Sequence, residues 1–341
     1  MKEDLKKLSP PELEQLLEGL GQPRWRVDEI RRWLYHGGTK EIGAMTSLPG
    51  ELRERLAADF RISLPAVTGR EKAGDGTIKL CLELEDGAPC ESVLIAGESR
   101  FTQCLSSQSG CPLGCTFCQT GRMGLRRSLT ASEIVDQWLV AAAEAGEGAR
   151  ISNLVYMGMG EPLLNYRALR ESVEIFTAEW GAGLSPSRIT VSTAGIVPAI
   201  DRMGREMPAV NLAVSLNAPE DSLRDRLMPV NRKYPLAVLM DALRRYPERR
   251  RRLTIEYVLL GKTNDSPVMA RKLARLLRGL RCKVNLIPFN PHSGLPFSAP
   301  SEEAIQRFQD VLKQAGYTAP VRRSKGAEVA AACGQLGVDQ R

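Results

Sequence analysis

Three cysteines, Cys111, Cys115 and Cys118, fall close together inside the stretch SSQSGCPLGCTFCQTG. Their spacing, C-x3-C-x2-C, lets one loop wrap three thiolates around a single polynuclear centre and leaves one coordination place unfilled. Four thiolates close a structural zinc site or an ordinary cubane, whereas three suggest a 4Fe–4S cluster with one iron open to an exogenous ligand. An open iron implies chemistry. Cys104 lies seven residues upstream, and a four-thiolate site built from Cys104, Cys111, Cys115 and Cys118 would instead describe a zinc-stabilised RNA-binding protein. That spacing, C-x6-C-x3-C-x2-C, is not usual for zinc.

Such a loop has to be carried by a scaffold, and the chain beyond residue 100 supplies one. The runs FTQCLSSQ, ISNLVYMGMG, RITVSTAG, AVNLAVSLNA, LTIEYVLLG and CKVNLIPFN are apolar and β-rich, and helical segments separate them. Six strands alternating with helices predict an α/β fold, a (βα)6 partial or complete barrel with a parallel sheet. Thr130 followed by Glu133 is a capping-box pattern that fixes the far end of the cysteine loop. Barrel sites form at the C-terminal ends of the strands. The cysteines follow the first run, Gly158, Gly160 and Glu161 the second, Ser192 the third, Ser215 and Asn217 the fourth, and Asn290 the sixth. Their shared edge predicts one pocket.

Upstream, residues 1–62 read as a small helical unit. SPPELEQLLEGLG has a Ser start, prolines in its first turn and a Gly stop, and WRVDEIRRWLYHGG repeats the ending. Residues 63–98 alternate apolar and polar positions between Gly/Asp turns, as a β-hairpin connection does. The barrel and its C-terminal segment occupy 99–341. At 341 residues with 43% apolar content the chain is globular, and it has no run of apolar residues long enough for a transmembrane helix and no signal-peptide-like start. A cytoplasmic protein with no membrane contact is expected, and in that compartment eight cysteines read as ligands or reactive thiols. Lys plus Arg number 47 against 40 Asp plus Glu, a net charge of +7. The excess gathers in LRRYPERRRRL (243–253), RGLRCK (278–283) and VRRSKG (321–326), which favours a polyanionic partner. His36 and His292 belong to no ligand-spaced pair.

The cysteine loop followed one strand later by GMGEP resembles the radical S-adenosylmethionine enzymes. CLSSQSGCPLGCTFCQTG, VYMGMGEPLLN, ITVSTAGIVPAID, NLIPFNP and AACGQL together resemble the RlmN/Cfr family of RNA adenine methyltransferases, from about residue 10 to the end. The resemblance implies that Cys111, Cys115 and Cys118 hold a 4Fe–4S cluster. It implies that Met157, Gly160, Glu161, Ser192, Ser215, Leu216, Asn217 and Asn290 bind S-adenosylmethionine, with glycines letting backbone approach the ligand. One departure is SLNA, where the family often has SLHA.

By the same resemblance two S-adenosylmethionine molecules are used per turnover. One methylates Cys333, and the second is cleaved to a 5′-deoxyadenosyl radical that activates the S-methyl group for addition to adenine. Glu91 takes a proton, and Cys104 attacks the sulfur of Cys333 to release the methylated base as a disulfide forms. The implied partners are 23S rRNA at the peptidyl-transferase region, tRNA beside the anticodon, and an external electron donor such as flavodoxin or ferredoxin. The protein is expected to act as a monomer. Methylation at carbon 2 is the reading favoured here, and methylation at carbon 8 by the same cysteines is its neighbour. Cys81, Cys90 and Cys282 read as ordinary packed cysteines.

Overall fold

The computed structural model describes residues 2–36, 38–98, 100–146, 150–247, 253–291 and 294–337. A short strand β1 (Glu3–Asp4) opens the chain, three helices follow, α1 (Pro10–Gly19), α2 (Arg26–Tyr35) and α3 (Gly50–Asp59), and β2 (Phe60–Arg61) returns to pair in parallel with β1. Pro10 sits in the first turn of α1, where a missing N–H is harmless, and Glu12 accepts from the Ser9 N–H at 2.7 Å. Leu13, Leu17, Val27, Ile30, Leu34, Leu52 and Leu56 recur at three- and four-residue spacings and are all buried.

Next comes an antiparallel meander of β3 (Ala66–Lys72), β4 (Ile78–Glu83) and β5 (Pro89–Ala96). The alternation anticipates these strands, but not where they go. β5 pairs antiparallel with β6 (Phe101–Cys104), the first barrel strand, so the meander extends the barrel sheet. The cysteine loop follows, bracketed by β7 (Gln108–Gly110) and β8 (Leu125–Ser128), with the single turn α4 (Gln119–Arg122) inside it. After it the chain runs α5 (Ala131–Ala145), β9 (Ile151–Tyr156), α6 (Tyr166–Thr177), β10 (Ile189–Thr193), α7 (Val197–Glu206), β11 (Asn211–Ser215), α8 (Asp221–Leu227), α9 (Leu236–Arg245), β12 (Leu253–Leu259), α10 (Pro267–Leu276), β13 (Cys282–Pro288) and α11 (Glu302–Gln314).

The sheet order is β13-β12-β11-β10-β9-β6-β5-β4-β3, with β6 and β9 to β13 all parallel. These are the six strands the sequence predicts. β13 does not pair with β3, so the barrel stays open. Along each parallel strand one set of residues faces the helices and the other faces the lumen. On β12, Ile255 and Tyr257 are fully buried on the outer side, where Tyr257 meets Phe308 of α11 at 5.1 Å between ring centroids, while Thr254 and Glu256 face inward. Each fully buried Leu, Ile or Val on the outer side contributes about 1.5–3 kcal/mol.

The N-terminal unit is fastened to the barrel by a buried ion pair. Lys6 Nζ meets Asp136 of α5 at 2.5 Å with both side chains almost fully covered. His36 Nδ1 lies 3.0 Å from the Gly181 carbonyl, and the Arg31 guanidinium sits 3.9 Å from the centre of the Trp180 ring. Among the described residues no helix is long and apolar enough to cross a membrane.

Candidate active site

The cysteine loop is pinched at its neck. β7 and β8 pair antiparallel, and the Cys111 N–H donates to the Gly124 carbonyl at 2.9 Å. Gly110 has φ +78°, and a Cβ there would lie 1.9 Å from the Gly124 oxygen, so only glycine closes this neck. Inside, the Cys118 N–H donates to the Cys115 carbonyl at 3.1 Å, and a Cβ on Gly121 would press on the Cys115 backbone at 3.0 Å. The Thr116 N–H reaches the Leu227 carbonyl. Thr130 and Glu133 cap α5 reciprocally, with Glu133 N–H to Thr130 Oγ1 at 3.2 Å and Thr130 N–H to Glu133 Oε2 at 2.9 Å.

Burial pushes the Cys111 thiol up to about 12 and those of Cys115 and Cys118 above their ordinary value, and nearby thiols add to the rise at Cys111 and Cys115. The protein alone therefore does not hold three thiolates, and a positively charged iron cluster is what would ionise them. Among the described residues no group of His, Cys, Asp and Glu is placed to hold a single metal ion. Cys104 stands apart from the loop, packed with Val93, Met159, Ala331 and Leu336.

Behind the loop, the small size of two glycines serves the fold. A Cβ on Gly158 would meet Ser106 Oγ at 2.6 Å, and one on Gly160, with φ +97°, would meet Gln108 Cβ at 2.5 Å. They pack against the chain entering the cysteine loop. Glu161 is a strut between strand ends: Oε1 accepts from Leu163 N–H at 3.0 Å and Oε2 from Ala194 N–H at 2.7 Å. Burial raises its carboxyl to about 7. Arg224, fully buried, donates to the carbonyls of Ala194 (2.7 Å), Ser215 (3.2 Å) and Leu216 (3.0 Å) and to Asn231 Oδ1 (2.8 Å). It thereby fixes the backbone of two predicted cofactor positions.

Asn217 turns out to be occupied within the protein. Its φ of +59° is one that Asn tolerates, its Oδ1 accepts from the Val258 N–H at 2.8 Å, and Nδ2 points to Met228 Sδ at 3.2 Å. The side chain ties the end of β11 to β12. Asn290 Nδ2 donates to Ser324 Oγ at 2.8 Å.

The lumen holds a residue that the sequence reading passed over. Ser192 Oγ donates to Glu256 Oε2 at 2.8 Å, while Glu256 Oε1 is buried without a hydrogen-bond partner, with Arg322 Nη1 3.9 Å away. Arg322 also approaches Met157 Sδ at 3.6 Å. Arg322 and Met157 line a cavity of about 480 Å³ together with Thr190, Thr254 and Lys283. An orphaned carboxylate oxygen beside Ser192 and Met157 fits a polar, hydrogen-bond-donating ligand such as a ribose. Glu256 was hidden in sequence because LTIEYVLLG reads as an apolar strand.

The last described residues form a strap over the open side of the barrel. It runs beside β13, where Val284 N–H donates to Thr318 O and Arg322 N–H to Leu286 O, then crosses to the meander, where Asp75 accepts from the Gly326 N–H at 3.0 Å. Further on, the Gln119 N–H donates to the Gly334 carbonyl at 2.8 Å, Thr120 Oγ1 donates to Leu336 O, and the Gly337 N–H donates to Glu91 Oε2 at 3.0 Å. Cys333 is thus held between the cysteine loop and β5. Burial first and the neighbouring Cys333 second push the Cys104 thiol up to about 12. The strap thus sets Cys333 beside the cysteine loop, Met157 packs against the cluster that holds Cys104, and the Gly337 N–H ties the end of the strap to Glu91.

The basic clusters are less free than their sequence suggests. Arg322 is part of the lumen, Arg323 pairs with Glu302, and Lys283 lines the cavity. Arg244 and Arg245 pair with Asp241 and Asp201. Residues 248–252, the densest part of the first cluster, and His292 lie outside the described residues.

Residues 3–62 match the family described as ribosomal RNA large subunit methyltransferase N-terminal domain, and residues 105–274 match the Radical SAM superfamily. A dual-specificity RNA methyltransferase RlmN from Geobacter sulfurreducens is 50% identical over 98% of this chain and 91% of its own. The RlmN of Syntrophus aciditrophicus is 46% identical over 98% and 96%. The crystal structure of a radical SAM methyltransferase from Sphaerobacter thermophilus, 47% identical, superposes with a TM-score of 0.92 and covers 98% of this chain and 99% of that one. Open barrel, cysteine loop, N-terminal helical unit and near-full-length identity lead to one statement: the chain belongs to the RlmN family of radical S-adenosylmethionine methyltransferases.

Proposed function

We propose that the protein methylates carbon 2 of an adenine in RNA, using a methyl group carried on Cys333. The substrates are 23S rRNA and tRNA, in keeping with the dual specificity named for its relatives. When bound, the 4Fe–4S cluster and S-adenosylmethionine supply the methyl group and the radical that activates it. Cys111, Cys115 and Cys118 hold the cluster, and Gly160, Glu161, Ser192, Ser215, Leu216, Asn217 and Asn290 border the cofactor, several of them through backbone that Glu161 and Arg224 keep in place. The observation that carries this reading is the strap, whose hydrogen bonds to Gln119, Thr120 and Glu91 hold Cys333 between the cysteine loop and β5. A thiol so placed can receive a methyl near the cluster and later be attacked by Cys104. Glu91 accepts the proton that the ring releases. The unit 1–62 docks RNA, the meander at 63–98 joins it to the barrel at 99–341, and the protein works in the cytoplasm as a monomer supplied by an external flavodoxin or ferredoxin.

The two cysteines divide the labour in time, which makes the proposal testable. Cys333→Ala should load cluster and cofactor yet form no covalent link to RNA. Cys104→Ala should stall after the link forms, giving a protein band of raised mass that nuclease shrinks. Repeated turnover by Cys104→Ala without a trapped adduct would sink the proposal. Mass spectrometry of the released nucleoside should give 2-methyladenosine.

A further inference from the structure

The inner face of the meander carries a row of charge. Cys81 lies directly opposite Glu91 in the β4/β5 register, and Glu71 lies directly opposite Lys79 in the β3/β4 register. Residues two apart on β4 share a face, so Glu91, Cys81, Lys79 and Glu71 stand together. Lys79 Nζ meets Glu71 Oε1 at 2.9 Å, with the lysine side chain 9% exposed and the glutamate 49%. Glu91 is 2% exposed; Cys81 Sγ lies 3.9 Å from its Oε1, and the Gly337 N–H donates to its Oε2. Burial raises the Glu91 carboxyl, and Lys79 is the largest influence opposing the rise, while Glu71 adds to it. For Lys79, burial works against the charge, and the Glu71 hydrogen bond and the Glu91 charge restore it.

We propose that Lys79 is a positioning residue for proton removal: shared between Glu91 inside and Glu71 at the rim, it keeps Glu91 in the ionised form that can accept a proton. This rests on the reading of Glu91 as the acceptor, in which the ring proton becomes the carboxylic proton and the C–H electron pair stays with the ring. A buried carboxyl without a nearby cation would be protonated before the substrate arrived, and a base that already holds its proton is idle. Glu71 competes for the same ammonium, so the two neighbours act on Glu91 with opposite sign.

The opposite signs give the test, read on the iron-free protein by infrared titration of the carboxylic C=O stretch that Glu91→Gln removes. Lys79→Met should raise the midpoint of that band by about one pH unit, and Glu71→Gln should lower it. Lys79→Arg should restore the wild-type midpoint. An unmoved midpoint in Lys79→Met, or shifts of the same sign in Lys79→Met and Glu71→Gln, would overturn the proposal, and the exposed Glu71 keeps one arm readable if Lys79→Met folds poorly. In the loaded enzyme, Lys79→Met should still methylate Cys333 but release less methylated RNA per 5′-deoxyadenosine, with the loss recovering as pH rises. Full release by Glu91→Gln would remove the acceptor reading, and Lys79's part in the reaction with it, while the titration shifts would still establish the coupling.

Discussion

Glu161 shows how one buried side chain joins two strand ends. Its two oxygens join the end of β9 to the loop after β10, and burial holds its carboxyl near 7 against an ordinary 4.5. A carboxyl raised by folding favours the folded state while it stays protonated. Its contribution is therefore complete below about pH 4.5 and is lost as pH climbs towards 7, by up to about 3 kcal/mol. Chemical denaturation of the iron-free protein should show the gap between wild type and Glu161→Gln narrowing over that interval. A gap independent of pH would mean that the carboxyl titrates normally. The GMGEP motif marks Glu161, but no sequence pattern reveals that both its oxygens accept from backbone.

Among the elements, the small β7/β8 pair sets the shape of the cluster loop. Gln108, Ser109 and Gly110 are polar and few, so nothing in their pattern announces a strand, whereas the six barrel strands declare themselves through runs such as RITVS and NLAVS that are buried on both faces. Legibility followed burial: long apolar strands could be read directly, while the neck, the Asn217 tie and Glu256 depend on contacts between residues far apart in sequence. The meander was legible as antiparallel strands but not as part of the barrel sheet, because alternation reports a strand's faces and not its neighbour. The neck makes a sharp prediction. Gly110→Ala forces a Cβ against the Gly124 carbonyl, so the protein should bind markedly less iron after anaerobic reconstitution while its far-UV circular dichroism stays nearly unchanged. Full iron loading in that variant would show that the loop can reshape without the pair.

At the scale of the whole molecule, the N-terminal unit and the barrel share the Lys6–Asp136 pair. Burial already raises the Asp136 carboxyl to about 7 against the pull of Lys6, so without Lys6 it takes up a proton and the fastening between the two units is lost. Lys6→Met should therefore loosen the unit, and limited proteolysis should cut near residues 60–65 earlier than in the wild type. Equal cleavage rates would assign the docking to the Arg31–Trp180 and His36–Gly181 contacts instead. The strap has a consequence in time. Residues 322–337 close the open side of the barrel and clamp the cysteine loop, yet they lie 204 to 219 residues beyond Cys118, so at about 5–20 residues per second they leave the ribosome on the order of ten seconds or more later. During synthesis the three cysteines therefore emerge well before the segment that clamps them. That interval is a natural opportunity for delivery of iron and sulfide, and the emergence of Cys333 brings it to an end.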